Sequence, residues 1–196
     1  SQFPEFKAMR IHQYLRRPLP TWLVHIYMRW KMRHVRFAGY DAVLILGGPT
    51  IACARNNHPN VWYCNTPQRW LYDMFPLELE RRGPASRFVF ALFAAMARIV
   101  DRSAVRYVDA IITNSQNVGR RLFDAYGVRQ DDVAYPSVDL SKYRFKQQDD
   151  FFLSTARLTE MARVELIVDA FKQMPDETLV IASGGAHLDG IRERAF

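Results

Sequence analysis

The stretch DAIITNSQNVGRRLFDAYG, residues 109–127, decides the fold class. Between Asp109 and Asn114 runs a short, continuous apolar segment, the pattern of a buried strand. Ser115 then supplies an N-cap, a helix runs on to Tyr126, and Gly127 stops it. The same unit recurs on both sides. Upstream lie Asp41-AVLIL-Gly47, closed by Gly-Gly-Pro-Thr, and Val61-WYC-Asn65. Downstream lie Asp132-VAY-Pro136, Phe151-FLSTA and Thr178-LVIAS. Each run is short and uninterrupted, as expected of a strand buried on both faces. Helical stretches alternate with them: a short one over 68–76, a long one from Ser86 to about Tyr107, one from Arg163 to Met174, and a last one after Gly184-Gly185. The long one carries Phe88, Leu92, Ala95, Ile99 and Val100 on one stripe. Strands alternating with helices predict an α/β chain of right-handed βαβ units on parallel sheets. Residues 137–150, SVDLSKYRFKQQDD, lack apolar periodicity and read as a linker between a domain at 41–136 and the start of another at 151–196.

Charge separates the remaining part. The chain has 196 residues and a formal net charge of +7. Residues 1–40 hold eight Lys/Arg (Lys7, Arg10, Arg16, Arg17, Arg29, Lys31, Arg33 and Arg36) against Glu5, so the whole excess sits there. A uniformly basic nucleic-acid-coating protein is not expected; a neutral body with a cationic amphipathic helical arm at 1–40 is. In the arm, Thr21 can cap a helix through about Arg36, with Trp22, Leu23, Ile26, Tyr27 and Trp30 on one face. Cys53 and Cys64 form no C-x-x-C pair and have no His at ligand spacing, so no thiol-based metal site is expected. They read as buried free thiols of a reducing compartment. No secretory signal opens the chain. The longest apolar run, Phe88 to Ala97, is too short to span a bilayer.

Ligands of open parallel sheets bind at the carboxyl ends of strands, so those ends hold the candidate site residues. Gly47 and Gly48 follow one strand; they permit close backbone approach, or simply make a tight turn. Asn65, Thr66 and Arg69 bring an amide, a hydroxyl and a guanidinium to the next. Thr66 with Pro67 reads equally well as an N-cap and first helical residue. Arg157 follows the strand at 151–156, and Gly184 and Gly185 follow the one at 178–182.

Four blocks in order carry a resemblance: VWYCNTPQRWLYD (61–73), DAIITNSQNVGRRL (109–122), VAYPSVDLSKY (133–143) and FFLSTARLTEMARVELIVDAFKQMPDETLVIASGG (151–185). Together they resemble the family 4 retaining glycosyltransferases, which have the two-domain GT-B fold of Rossmann-like units. The likeness is closest to polysaccharide mannosyltransferases and covers roughly residues 41–192. It implies transfer of a hexose, mannose foremost, from a nucleotide sugar such as GDP-mannose to a lipid-linked saccharide, with no cofactor and no metal. It implies that Arg157 clamps the donor diphosphate and that Gly184 and Gly185 face the donor. The family's lysine, five positions after that arginine, corresponds to Ala162 here. Arg163 is its neighbour, turned about 100° away if both lie on one helix. In the first domain the family's His-Thr-Pro corresponds to Asn65-Thr66-Pro67, and Arg69, Tyr72 and Asp73 match the block that follows. Asn can bond a sugar hydroxyl but cannot carry a proton.

The resemblance also implies a first strand with a glycine-rich loop, which has no counterpart in residues 1–40. It implies two Glu eight positions apart, which would fall after Phe196. The expectation is therefore a member shortened at both ends: a partial first domain and the start of the donor domain. The basic arm then invites three readings: packing on the sheet, contact with an anionic membrane surface, and nucleic-acid binding, which the neutral body argues against. The expected combination is sheet packing together with membrane contact, at the inner face of the cytoplasmic membrane. The alternative to a working enzyme is an inactive remnant that binds membrane or a partner through the arm.

Overall fold

The structure is a computed structural model and describes residues 21–145 and 147–195. The first half of the basic arm, with Lys7, Arg10, Arg16 and Arg17, lies outside the described residues. The chain forms two compact units that divide between Val138 and Asp139. Both are mixed α/β with parallel strands.

In the first unit, helix α1 (Thr21–Met32) precedes strand β1 (Val43–Leu46). A 3-10 helix (Pro49–Asn56) leads to β2 (Asn60–Cys64). A 3-10 turn (Arg69–Leu71) and helices α2 (Phe75–Glu80) and α3 (Pro84–Val105) lead to β3 (Ala110–Thr113). Helix α4 (Gln116–Tyr126) leads to β4 (Asp132–Val133). The sheet is fully parallel, in the order β1-β2-β3-β4. The reading of 109–127 holds to the residue. The Ser115 hydroxyl accepts from the Val118 amide, and Gly127 closes α4 in the left-handed conformation at φ 71°.

The second unit pairs β5 (Phe152–Ser154) in parallel with β6 (Leu179–Ile181). Between them lie a 3-10 turn (Glu160–Ala162) and α5 (Val164–Phe171); α6 (Leu188–Ala195) follows. Its core is Leu158, Val164, Val168 and Ile191.

The strands are not buried on both faces, contrary to the expectation from their apolar runs. Ile45, Trp62, Cys64 and Ile111 face the core, whereas Leu44 and Leu46 are 64% and 54% exposed. Register aligns Leu44 with Val61 and Ala110, and Leu46 with Tyr63 and Ile112, so these side chains share the outer face. The cause is the strand order. Right-handed crossovers that always advance in one direction place every connection on the same face. Only a reversal of order would send a helix to the other side, and none occurs among the described strands.

Several boundaries and orientations also differ. α1 ends at Met32, not Arg36. Its Ile26, Tyr27 and Trp30 face outward, at 45%, 37% and 63% exposure, instead of packing on the sheet. The inward residue is Met32, and the helix packs on the 3-10 helix 49–56. The apolar stripe of α3 behaves alike: Phe88, Leu92, Ile99 and Val100 are exposed, and Ala94, Asp101, Ala104 and Val105 are buried. No helix begins at Thr66-Pro67; the helix read over 68–76 is the 3-10 turn 69–71 followed by α2. Among the described residues, no helix is long and apolar enough to cross a membrane.

Candidate functional site

The carboxyl ends of β1, β2 and β3 gather the first-unit candidates at one edge of the sheet. Gly47 turns the chain at φ 89°, a conformation that suits glycine. A Cβ on Gly48 would meet the Gln68 side chain at 2.2 Å, so the turn after β1 lies against the segment after β2. Gln68 in turn accepts from the Trp70 indole at 3.0 Å. Asn65 is exposed. Thr66 turns inward, and its hydroxyl is buried without a partner among the described residues. Arg69 holds Asp73 at 2.9 Å, with Arg121 of α4 at 4.0 Å from the same carboxylate oxygen. The sequence-matched pair Arg69 and Asp73 is thus an ion pair spanning one helical step, and α4 is joined to it.

In the second unit the ends of β5 and β6 are tied together. The Leu158 amide donates to the Gly184 carbonyl at 3.1 Å, and the His187 amide donates to the Leu158 carbonyl at 3.1 Å. Gly185 is needed for this fit: a Cβ there would stand 2.3 Å from the Leu158 carbonyl oxygen. Arg157 is exposed at this edge and has no ion pair among the described residues. Gly184 has nothing near its Cβ position. Ala162 and Arg163 do not share a helix. Ala162 ends a 3-10 turn, and Arg163 stands in the left-handed conformation (φ 51°, ψ 41°) before α5 begins. Arg163 is therefore not turned from Ala162 by one step of a shared helix, because the backbone changes direction between the two residues.

One constellation escaped the sequence reading. Asp101 of α3 is 1% exposed and accepts from the Tyr72 hydroxyl at 3.0 Å and the Tyr126 hydroxyl at 2.7 Å. It also pairs with Arg29 of α1. A buried carboxylate needs such partners. Burial and the Asp101 charge hold both phenols well above their ordinary range. Cys64 is pushed up to about 12, by burial first and Asp101 second, and burial pushes Cys53 to about 11. Burial therefore favours the thiol form of both at neutral pH. Among the described residues no three His, Cys, Asp or Glu side chains come together to hold a metal ion. The signal for this cluster is a lone acid on the side of α3 opposite its apolar stripe; nothing local identifies its three partners.

Comparison with known proteins finds no family model that matches the chain. No curated protein matches it either.

Proposed function

We propose that the chain is a GT-B-type retaining glycosyltransferase that moves a hexose, mannose foremost, from a nucleotide sugar to a lipid-linked saccharide. The observation that carries this reading is the joined edge of the second unit. Two parallel strands end in turns bonded to each other through Leu158, Gly184 and His187, and the residue before Leu158 in the chain is the exposed Arg157. A planar cation at that edge suits a diphosphate, whose charge grows as the sugar–phosphate bond breaks. In the transfer, the bond from the anomeric carbon to the phosphate oxygen breaks and one to the acceptor oxygen forms on the same face. The acceptor proton passes to the departing phosphate, so Asn65 need only hydrogen-bond a sugar hydroxyl. Arg69 and Asp73 would orient the sugar or acceptor. The proposed setting is the inner face of the cytoplasmic membrane.

The test is calorimetric titration of GDP-mannose and other nucleoside diphosphate sugars into the folded chain, with and without Arg157→Ala. Saturable heat that Arg157→Ala weakens about tenfold or more, the worth of a charged bond, supports the reading. No heat with any donor overturns it. A second reading, a chain that keeps the fold without transfer, is favoured by one observation: the position matched to the clamp's second cation is Ala162, which carries no charge.

A further inference from the structure

Helices α1 and α3 both pack on the 3-10 helix 49–56, and residues of all three line a groove of about 530 Å³. Small-molecule sites have volumes of roughly 300–1,000 Å³. The α1 wall is basic at regular spacing. His25, Arg29 and Arg33 follow at four-residue steps, and the Arg33 amide bonds the Arg29 carbonyl at 3.1 Å, so the three share one side. All three line the groove. The α3 wall is apolar, with Phe93, Met96 and Val100 at i, i+3 and i+7. Trp70 adds a flat surface. Its ring stacks on Phe93 with centroids 5.9 Å apart and planes 4° apart, and its indole N–H donates to Gln68.

The α1 wall holds donors that nothing in the fold uses. Arg29 reaches Asp101 through Nη2, while its Nη1 is buried with no hydrogen-bond partner among the described residues. His25 Nδ1, one helical turn away, is in the same state. Burial first, and Arg29 second, hold His25 below its ordinary range, so at neutral pH it is an uncharged ring that donates from Nδ1 in one tautomer. Buried polar atoms are normally paired; two beside one groove point to an acceptor from outside the chain. Charge sets the sign of that acceptor. Arg33 and Arg55 are exposed and have no ion pair among the described residues. Both line the groove, and no Asp or Glu among the described residues does.

We infer that this groove of the first unit is a binding site for a soluble aromatic carboxylate, with the acid group on the α1 wall and the ring against Trp70 and Phe93. A carboxylate has two oxygens that take charged hydrogen bonds from guanidinium groups. A ring gains more than an alkyl chain at this wall, because ring-on-ring contact adds to the area buried and a flexible chain loses rotamer freedom on entry. The site stands apart from the proposed transfer chemistry. Arg157 belongs to the second unit, and Asn65, Arg69 and Asp73 do not line the groove. The inference does not rest on the transferase reading. Binding of the acid needs no nucleotide sugar, and donor binding needs no acid, so either can fail alone.

The test is calorimetric titration of the full chain with 2-naphthoate, with 2-naphthamide and with dodecanoate. One saturable site for 2-naphthoate is expected. The amide keeps the ring and loses the charge, and should bind about tenfold more weakly or worse. Dodecanoate keeps the acid and loses the ring, and should also bind more weakly. Arg33→Gln, at an exposed position, and Val100→Glu, which sets an acid on the apolar wall, should each weaken 2-naphthoate about tenfold or more with circular dichroism unchanged. Arg120→Gln, which removes an exposed charge on α4, should leave it unchanged. The comparison of ligands uses the parent chain alone, so it stands whether or not a variant folds. The proposal is overturned if 2-naphthoate gives no saturable heat, if the amide binds as tightly, or if dodecanoate binds more tightly. It is equally overturned if Arg33→Gln and Val100→Glu fold and bind 2-naphthoate as the parent does, or if Arg120→Gln weakens binding as much as Arg33→Gln.

Discussion

The carbonyl oxygen of Leu158 stands 2.3 Å from the point a Cβ on Gly185 would occupy. A backbone carbonyl cannot rotate aside as a side chain can, so Gly185→Ala must part the two turns that close the second unit. The expected cost is about 1–3 kcal/mol, as for overpacking elsewhere, read as a lower denaturant midpoint. Gly184→Ala is the control, since nothing lies within 4 Å of its Cβ position. Equal midpoints for the two variants would show that the close approach carries no weight.

Arg163 separates structure from binding. A non-glycine residue at φ 51° is held in a conformation that costs roughly 1–2 kcal/mol. Arg163→Gly should therefore raise stability, by about 1 kcal/mol once the added freedom of the unfolded chain is counted. If its guanidinium serves the donor, the same variant weakens nucleotide-sugar binding. Stability and binding would then move in opposite directions, which a purely structural role cannot produce. A fall in thermal midpoint would refute the strain argument.

Removal of the Asp101 carboxylate should be severe. Asp101→Ala leaves Arg29 without its partner and two phenols without an acceptor, and loss of one member of a buried pair costs about 3–5 kcal/mol. Tyr126→Phe removes one hydrogen bond to the carboxylate and should cost about 1.5–3 kcal/mol. A double-mutant cycle of Arg29→Met with Asp101→Asn measures the coupling directly. A coupling near zero would contradict the pairing of α1 with α3.

Two exposed carboxylates contribute to the acid response. Hydrogen bonds from Arg194 hold Asp169 below its ordinary range, and those from His58 and the Asn60 amide do the same for Asp109. A carboxylate with a depressed native pKa stabilises the fold above its unfolded value, and that contribution is lost as pH falls through the native value. The denaturation midpoint should hold near neutrality and decline below pH of about 4. Asp169→Asn should make the decline shallower. An unchanged pH profile in that variant would remove Asp169 from the account.

Sequence reading succeeded where the physics is local. Ser115 and Gly127 bound α4 because a cap and a left-handed stop are each settled within a few residues. The stretch 137–150, which lacks apolar periodicity, contains the point between Val138 and Asp139 where the two compact units divide. The facing of α1 and α3 was not legible, because amphipathicity marks which stripe is apolar and not what it meets. Trp30 and Leu92 fit the expected pattern and point outward. The 3-10 helix 49–56 escaped because it was folded into a glycine turn, and the Asp101 partners at 29, 72 and 126 are far apart in the chain. Of the candidate site, strand-end logic places Arg157 and the glycine pair on turns that the structure joins through Leu158 and Gly184, whereas Thr66 is an inward hydroxyl and not a cap.

The single-sided sheet has a calorimetric consequence. Unfolding raises heat capacity in proportion to the apolar area it newly wets. Leu44 and Leu46 on the sheet, and Phe88, Leu92 and Ile99 on α3, are already wetted in the native state. The heat-capacity increment per residue should therefore fall below the roughly 12–15 cal/mol/K usual for globular chains. The stability curve of this protein should accordingly be broad and shallow, and covering either bare face would sharpen it.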